Sequence, residues 1–514
     1  MVITDVKNLQ ELVSFAASEY GDKAFLKEKD GKDIKETSFD NFFDGSRRVC
    51  SFLKECGKGE KLHAAVIGAT SSGYLMSYFG TVMGGNVIVP LDAQLSAEDL
   101  CDLLVRADVS VFFYDNRFEA ILDDIKAGCP DIHTYVSIQN SDKAQVSLPE
   151  ILEKYEPAVL PEITPDQLAA IVYTSGTTGK AKGVMLTHGN LIDNAMCCDD
   201  ESSPEDVLMT VLPIHHVYCF TCDILLSLRY GPTVCVNDAM MRIAQNLKLF
   251  QPTIILLVPM IAETIYKQIN AVSKAKNIPA AAVAQSIFGG KLKVIFSGGA
   301  YLSPELMKAY ADIGIPISQG YGMTECSPRI SSAKLGDLSG EDVGRIVKGC
   351  EVKIVDGEIV VKSPSVMQGY YKMPAETAEA IDAEGWLHTG DLGYVENGRI
   401  FITGRKKNLI ILSNGENVSP EELENKFAAV DMVAEVLVYA EEGVITAEIF
   451  PSAEVCGEMS REEIVAKLND IISGINKNLP SAKAIRRLRL RDAEFDKTTS
   501  KKIRRQQAVQ GDIV

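Results

Sequence analysis

Tryptophan occurs once in 514 residues and histidine six times, and no apolar run approaches the length of a membrane span. A helix that crosses a bilayer needs about 20 consecutive apolar residues, so no transmembrane segment is expected. Positive charge is scarce too: 52 Lys and Arg stand against 70 Asp and Glu, a formal net charge of −18. Binding a phosphate backbone needs surplus cations, which argues against a nucleic-acid partner. The N-terminal stretch MVITDVKNLQELVSF lacks the basic region and apolar core of a secretory signal. A second CxxC is also missing. Cys219 and Cys222 have that spacing alone, and twelve cysteines in so long a chain make no disulfide framework. They read as buried, reduced thiols, which fits a cytoplasmic protein.

What is present is the balance of an ordinary globular chain, 46% hydrophobic and 24% charged. Its length exceeds what one core usually organises, so at least two domains are expected. Short β-rich runs (Ala64–Ile67, Val87–Val89, Val109–Phe113, Thr253–Val258, Val294–Phe296) alternate with amphipathic stretches. Ser303-Pro304-Glu305 supplies an N-cap, a proline in the first helical position and an acid at the positive helix end. The pattern predicts an α/β fold with a large N-terminal domain, residues 1–404, of β-sheets packed with helices. After Gly404 the charged run Arg405-Lys406-Lys407-Asn408 reads as a hinge. Beyond it, the strand-like runs Leu409–Leu412, Val436–Tyr439 and Val444–Phe450 mix with helix starts at Ser419 and Ser460. Ser419 with Glu422 predicts a capping box. Residues 405–514 therefore form a small C-terminal α+β domain.

The strongest local signal is YTSGTTGKAKG, Tyr173 to Gly183, directly after the apolar run Leu168–Val172. Glycines let backbone amides converge, hydroxyls add donors, and lysines supply charge for a polyphosphate. A P-loop needs GxxxxGK followed by Ser or Thr. Here Gly176 and Gly179 are too close together and Ala181 follows Lys180, so that reading fails on spacing.

The segment resembles the phosphate loop of the adenylate-forming superfamily, which includes acyl-CoA synthetases, aryl-CoA ligases, luciferases and peptide-synthetase adenylation domains. Seven further motifs follow in that family's order. They are LPIHHVY (Leu212–Tyr218), SGGA (Ser297–Ala300), YGMTE (Tyr321–Glu325) and GWLHTGDLGY (Gly385–Tyr394), then GRKKN (Gly404–Asn408), GENVSPEELE (Gly415–Glu424) and KTTSKKIRR (Lys497–Arg505). The resemblance covers almost the whole chain and implies an ATP-dependent ligase that makes an acyl-adenylate. The acyl group then passes to the thiol of coenzyme A or, alternatively, to the phosphopantetheine arm of a separate carrier protein.

The resemblance also implies site residues. Thr174, Ser175, Gly176, Thr177, Thr178, Gly179 and Lys182 hold the ATP phosphates. Tyr321 packs on adenine against Gly298, Gly299 and Ala300, where small residues admit a close approach. Gly320, Gly322 and Thr324 flank that contact. Glu325, with Thr174, is a hard-oxygen site for Mg2+. Asp391, assisted by Arg405, accepts from the ribose hydroxyls; alone it would read as a turn cap. His216 lies beside the carboxylate being activated, as an aromatic wall of the acyl pocket, with Tyr218, Gly320 and Met323 as further lining candidates. Trp386 reads as a packing anchor. Lys502 reaches the α-phosphate, Lys407 is the pivot, and Gly415 lines the pantetheine channel. The substrate class implied is a fatty or related small-molecule carboxylic acid.

The sequence departs from the family pattern in four places. Asp496 stands where a proline is usual before Lys497, Lys501 where a glycine is usual, Ala181 where a proline is usual in the phosphate loop, and Asn408 where an acid often follows the hinge lysine. One residue is also missing before Arg504, which leaves Lys501 open as a substitute for Lys502.

Overall fold

The structure is a computed structural model that describes residues 3–141, 144–174, 180–198, 202–334, 341–412, 417–428, 430–497, 503, 505 and 512–513. The anticipated apolar runs are strands: His63–Ile67, Val87–Leu91, Val111–Tyr114, Ile254–Leu257 and Val294–Ser297. Three of them, Val87–Leu91, Val111–Tyr114 and Ile254–Leu257, are buried at every position. Continuous burial is expected of parallel strands covered by helices on both faces, because neither face meets water.

Two large sheets organise the N-terminal part. An eight-stranded sheet has parallel strands at its centre, and towards one side carries the antiparallel hairpin Leu168–Thr174 and Lys182–Thr187. A thirteen-stranded sheet runs parallel from Thr233–Val236 through Val207–Thr210, Ile254–Leu257 and Val294–Ser297 to Ile317–Gly322. It then continues antiparallel, starting with Arg329–Ser332. Ile317–Gly322 is thus the strand where the sheet changes direction. Ligands in α/β sheets gather outside the carboxyl ends of parallel strands. Both SGGA and YGMTE sit at such ends.

The apolar clusters of these sheets draw on residues up to Ile400, whereas a separate cluster begins at Ile410 and extends to Leu490. That second cluster packs the strands Val433–Glu441, Val444–Pro451 and Arg487–Leu490 against the helix Arg461–Asn476. Ile464, Leu468 and Ile472 form the buried stripe of this helix at a four-residue spacing. Burying each side chain contributes roughly 1.5–3 kcal/mol. Ser460 and Glu463 complete a capping box, and Ser303 caps its helix through the amide of Leu306.

The capping box expected at Ser419 is only half formed. Ser419 Oγ accepts from the Glu422 amide at 3.4 Å, but the Glu422 carboxylate pairs with Lys483 at 3.0 Å. An ion pair across the domain has taken the side chain that would have closed the box. None of the twelve cysteines is in a disulfide, and Cys219 and Cys222 are buried. No helix among the described residues is long and apolar enough to cross a membrane.

Candidate active site

The strand Val294–Ser297 leads directly into Gly298. A Cβ there would lie 3.2 Å from the Gly320 carbonyl and 3.4 Å from the Tyr218 ring, so SGGA, YGMTE and Tyr218 converge. Gly299 follows with φ +81°, a region that favours glycine. At Gly322 a Cβ would stand 2.0 Å from the Pro328 carbonyl, which closes the position to every side chain.

Tyr321 is buried at 9% exposure, and its hydroxyl donates to Asp391 Oδ2 at 2.8 Å. Arg405 Nε lies 2.9 Å from Asp391 Oδ1. The antiparallel register sets Asp391 directly opposite Arg405, so backbone pairing dictates the ion pair. Burial, and then the nearby Asp391 charge, hold the Tyr321 phenol well above its usual range. It stays a donor. Asp391 is therefore no local turn cap: both carboxylate oxygens are taken by long-range partners, and Thr389 Oγ1 receives its amide instead.

Beneath Asp391 lies a group that sequence reasoning missed. Glu358 is 3% exposed and accepts from Gly390 N and Lys406 Nζ, each at 2.9 Å, with His388 Nδ1 3.1 Å away. Burial pushes its carboxyl up, but the bonds from Lys406, His388 and Gly390 outweigh it, and the net shift is downward. An ionised Glu358 thus ties the strand Leu387–Glu396, at Gly390, to Lys406 in the expected hinge. Glu358 sits in the strand-like run EIVVK, where nothing in composition marks it.

On the phosphate side, the glycine-rich loop joins two antiparallel strands whose last pair is Thr174 with Lys182. A P-loop would lead into a helix instead. Ser175, Gly176, Thr177, Thr178 and Gly179 lie outside the described residues. Lys182 Nζ stands 4.6 Å over the ring of Tyr370, and the Tyr370 hydroxyl donates to Glu325 Oε1 at 2.8 Å. One tyrosine therefore joins the lysine expected at the phosphates to the glutamate expected at the metal. Sequence reasoning missed Tyr370 as well. Its one signal is the preceding Gly369, with φ +139° and Thr377 2.6 Å from where a Cβ would be.

Glu325 fits a divalent-cation ligand in type and placement. Oε1 is held by Tyr370, and Oε2 makes no hydrogen bond among the described residues. Those residues gather no cluster of three or more metal-ligating side chains. A cation there would complete its shell with nucleotide phosphates and water, as magnesium commonly does. Thr324 opens the short turn Thr324–Cys326 that presents Glu325.

His216 and His215 pack against each other with ring centroids 4.2 Å apart. His215 Nε2 faces Asp92 Oδ2 at 3.8 Å. Burial, with the adjacent His216, lowers His215 to about 3, so it is neutral across the physiological range. Behind His215 is a small apolar cavity lined by Tyr78, Leu186, Ile214 and Phe220, among others. Trp386 lies under Lys353 Nζ, 4.0 Å from its ring.

At the hinge, burial and then the neighbouring Arg405 lower the Lys407 pKa. Gly415, Lys501 and Lys502 lie outside the described residues.

Comparison with known proteins agrees with this geometry. A family model described as AMP-binding enzyme matches residues 13–371, and one described as AMP-binding enzyme C-terminal domain matches residues 407–511. The chain belongs to the AMP-binding enzyme family. It is 30% identical over 417 residues to the peroxisomal long chain acyl-CoA synthetase 7 of Arabidopsis thaliana, which covers 69% of this chain and 59% of that protein. It is also 30% identical over 414 residues to the indoleacetate–CoA ligase of Aromatoleum aromaticum, covering 76% of this chain and 78% of the relative. The match to the peroxisomal synthetase 6 of Arabidopsis thaliana spans 46% of that protein, so the chain aligns with about half of it. Among solved structures, an anthranilate CoA ligase in complex with anthranoyl-AMP superposes with a TM-score of 0.84 at 20% identity, covering 98% of this chain and 97% of that one. O-succinylbenzoate coenzyme A synthetase from Bacillus subtilis, in complex with AMP, gives 0.78 at 23% identity, covering 97% and 98%. These likenesses establish the fold.

Proposed function

We propose that the protein is an ATP-dependent carboxylate–CoA ligase of the AMP-forming type, acting through an acyl-adenylate on a fatty or related carboxylic acid. The observation that carries the reading is the pairing of two clusters. Tyr321, Asp391 and Arg405 suit a nucleoside, and Lys182, Tyr370 and Glu325 suit its polyphosphate and a cation.

In the first half-reaction a carboxylate oxygen attacks the α-phosphorus of ATP, and the bond to pyrophosphate breaks. An ionised carboxylate is already nucleophilic at neutral pH, so no general base is needed. Positioning and charge neutralisation supply the catalysis. Lys182 with Ser175, Thr177 and Thr178 holds the outer phosphates, and Lys502 neutralises the α-phosphate as charge builds there. Glu325 and Thr174 would hold Mg2+, which supplies charge neutralisation on the departing pyrophosphate. His216 is a wall of the acyl pocket. The neutral state of its neighbour His215 suits that passive role.

In the second half-reaction a thiolate attacks the acyl carbon and AMP leaves. The small domain, residues 405–514, turns about Lys407 between the two steps, withdrawing Lys502 and bringing Gly415 to the pantetheine channel. Free CoA is preferred to a carrier-protein arm because the relatives matched over most of this chain are named as CoA synthetases and ligases. A reducing compartment, the cytoplasm, is supported by twelve cysteines that form no disulfide.

A panel of carboxylic acids tests the reading by pyrophosphate release with and without CoA. The expected result is acid-dependent release accelerated by CoA, with thioester formed. Acid-dependent release that no CoA concentration turns into thioester would favour the carrier-protein alternative.

A further inference from the structure

One short helix, Pro420–Glu424, connects the hinge to the C-terminal segment. Asn408 Nδ2 donates to Glu421 Oε1, and Ser419 Oγ donates to Glu421 Oε2 at 3.0 Å. Arg505 Nη2 stands 3.4 Å from Glu421 Oε1 and donates to Glu424 Oε2. The other oxygen of Glu424 accepts from Val438 N at 2.7 Å. Glu421 therefore touches a hinge residue and Arg505 at once. These groups are well shielded: side-chain exposure is 23% for Glu421, 15% for Glu424 and 28% for Arg505.

The chain on both sides of Lys502 is anchored. Lys497 pairs with Glu435 and Glu494, and Ile503 bridges Lys497 and packs beside Leu437 and Phe495. Two residues further on comes Arg505. On the large-domain side of the hinge, Lys406 is held to the buried Glu358. Fixed contacts thus lie on either side of Lys407, at Lys406 and at Asn408. Burial lowers the Lys407 pKa, as do the like charges Arg405 and Arg505, while Asp391 and Glu421 act in the opposite sense.

We propose that Arg505 and Glu421 are positioning residues for adenylation. Their bridge fixes Arg505, three residues beyond Lys502 in the chain, to the hinge, so that turning about Lys407 delivers the lysine to the α-phosphate. The inference rests on the domain-alternation reading above.

The test measures two rates on the full-length protein: acid-dependent pyrophosphate release, and thioester formation from preformed acyl-AMP and CoA. Displacing a reacting group by about 1 Å costs on the order of a hundredfold, so Arg505→Gln should slow pyrophosphate release by about tenfold to a hundredfold. The loss should fall in kcat, with KM for ATP little changed, and thioester formation should stay near normal. Arg505→Lys should recover part of the rate, because a point charge can pair with one carboxylate but not fork across two. In a Lys502→Ala background, Arg505→Gln should cost nothing more, since groups that act through one another are not additive. Should Arg505→Gln fail to fold, Glu421→Gln carries the same test, because the amide oxygen keeps the Asn408 contact while the charge and the bond from Ser419 Oγ are lost. Equal losses in both half-reactions, or full additivity with Lys502→Ala, would overturn the bridge. A harmless Arg505→Gln beside a damaging Lys502→Ala overturns the bridge alone. A harmless Lys502→Ala overturns the underlying reading instead.

Discussion

At the scale of single residues, Asp391 joins an observed structural role to a proposed functional one. Its oxygens are held by Tyr321 and Arg405, so Asp391→Ala removes an acceptor from two buried or half-buried donors as well as from the ribose it is proposed to hold. Losing a charged acceptor costs on the order of 1.5–3 kcal/mol. KM for ATP should therefore rise by about tenfold to a hundredfold, with KM for the carboxylate changing much less. An unchanged KM for ATP in a folded variant would reduce Asp391 to a packing role. A second residue carries a pH signature. Asp223 lies in the π-helical turn Phe220–Leu225, fully buried, and its Oδ2 accepts from the Cys219 thiol at 3.3 Å. Burial raises its carboxyl to about 7 from an ordinary 3.8, against a smaller lowering by the thiol. A raised folded-state value means the folded protein holds the proton more tightly than the unfolded chain. Stability is then complete below pH ~4 and is lost as pH rises towards 7, by roughly 4 kcal/mol in all. Asp223→Asn cannot titrate, so its stability relative to wild type should improve by that order between pH 4.5 and 8, read as urea midpoints. A pH-independent difference would show that Asp223 does not titrate in that window. These residues also mark the limit of the sequence. Tyr321, Asp391 and Glu325 stood out because short motifs carry their chemistry locally. Tyr370 and Glu358 did not, because their partners lie 45 and 32 residues away, a distance no local pattern encodes.

At the scale of elements, the buried parallel strands were legible because continuous apolar runs have few other solutions. The glycine-rich segment stood out by composition, but the strand Lys182–Thr187 that follows it was not anticipated. Ser419 misled because a capping box needs its glutamate free and Lys483 had claimed it. The charged run proposed as the hinge stood out, yet its contacts to Glu358 and Glu421 come from elements on either side of it. Those contacts make the hinge residue itself a point of attack. Lys407 sits between Lys406 and Asn408 in the single turn Lys406–Asn408. Proline there fixes φ near −65° and removes a backbone donor. Lys407→Pro should release pyrophosphate at near the normal rate and then stall, so that acyl-AMP accumulates and thioester does not. Thioester formation at the normal rate by that variant would place the pivot elsewhere.

At the scale of the whole molecule, the proposed reading has two bodies of unequal size serve two half-reactions with one set of substrates, and Lys502 is where that division can be measured. A lysine that neutralises the α-phosphate is needed only while charge builds on phosphorus. Removing one such donor commonly costs about a hundredfold to a thousandfold in rate. Lys502→Ala should slow acid-dependent pyrophosphate release by that order. Supplied with preformed acyl-AMP and CoA, the same variant should form thioester at close to the normal rate, because the proposed alternation has by then turned the small domain and withdrawn the lysine. Lys501→Ala is the register control: the family's glycine position holds a second lysine here, and its loss should be milder. If Lys501→Ala is the more damaging of the two, the lysines exchange roles and the alternation mechanism stands. If Lys502→Ala slows both half-reactions equally, one arrangement of the domains serves both steps, and the rotation about Lys407 has no catalytic part.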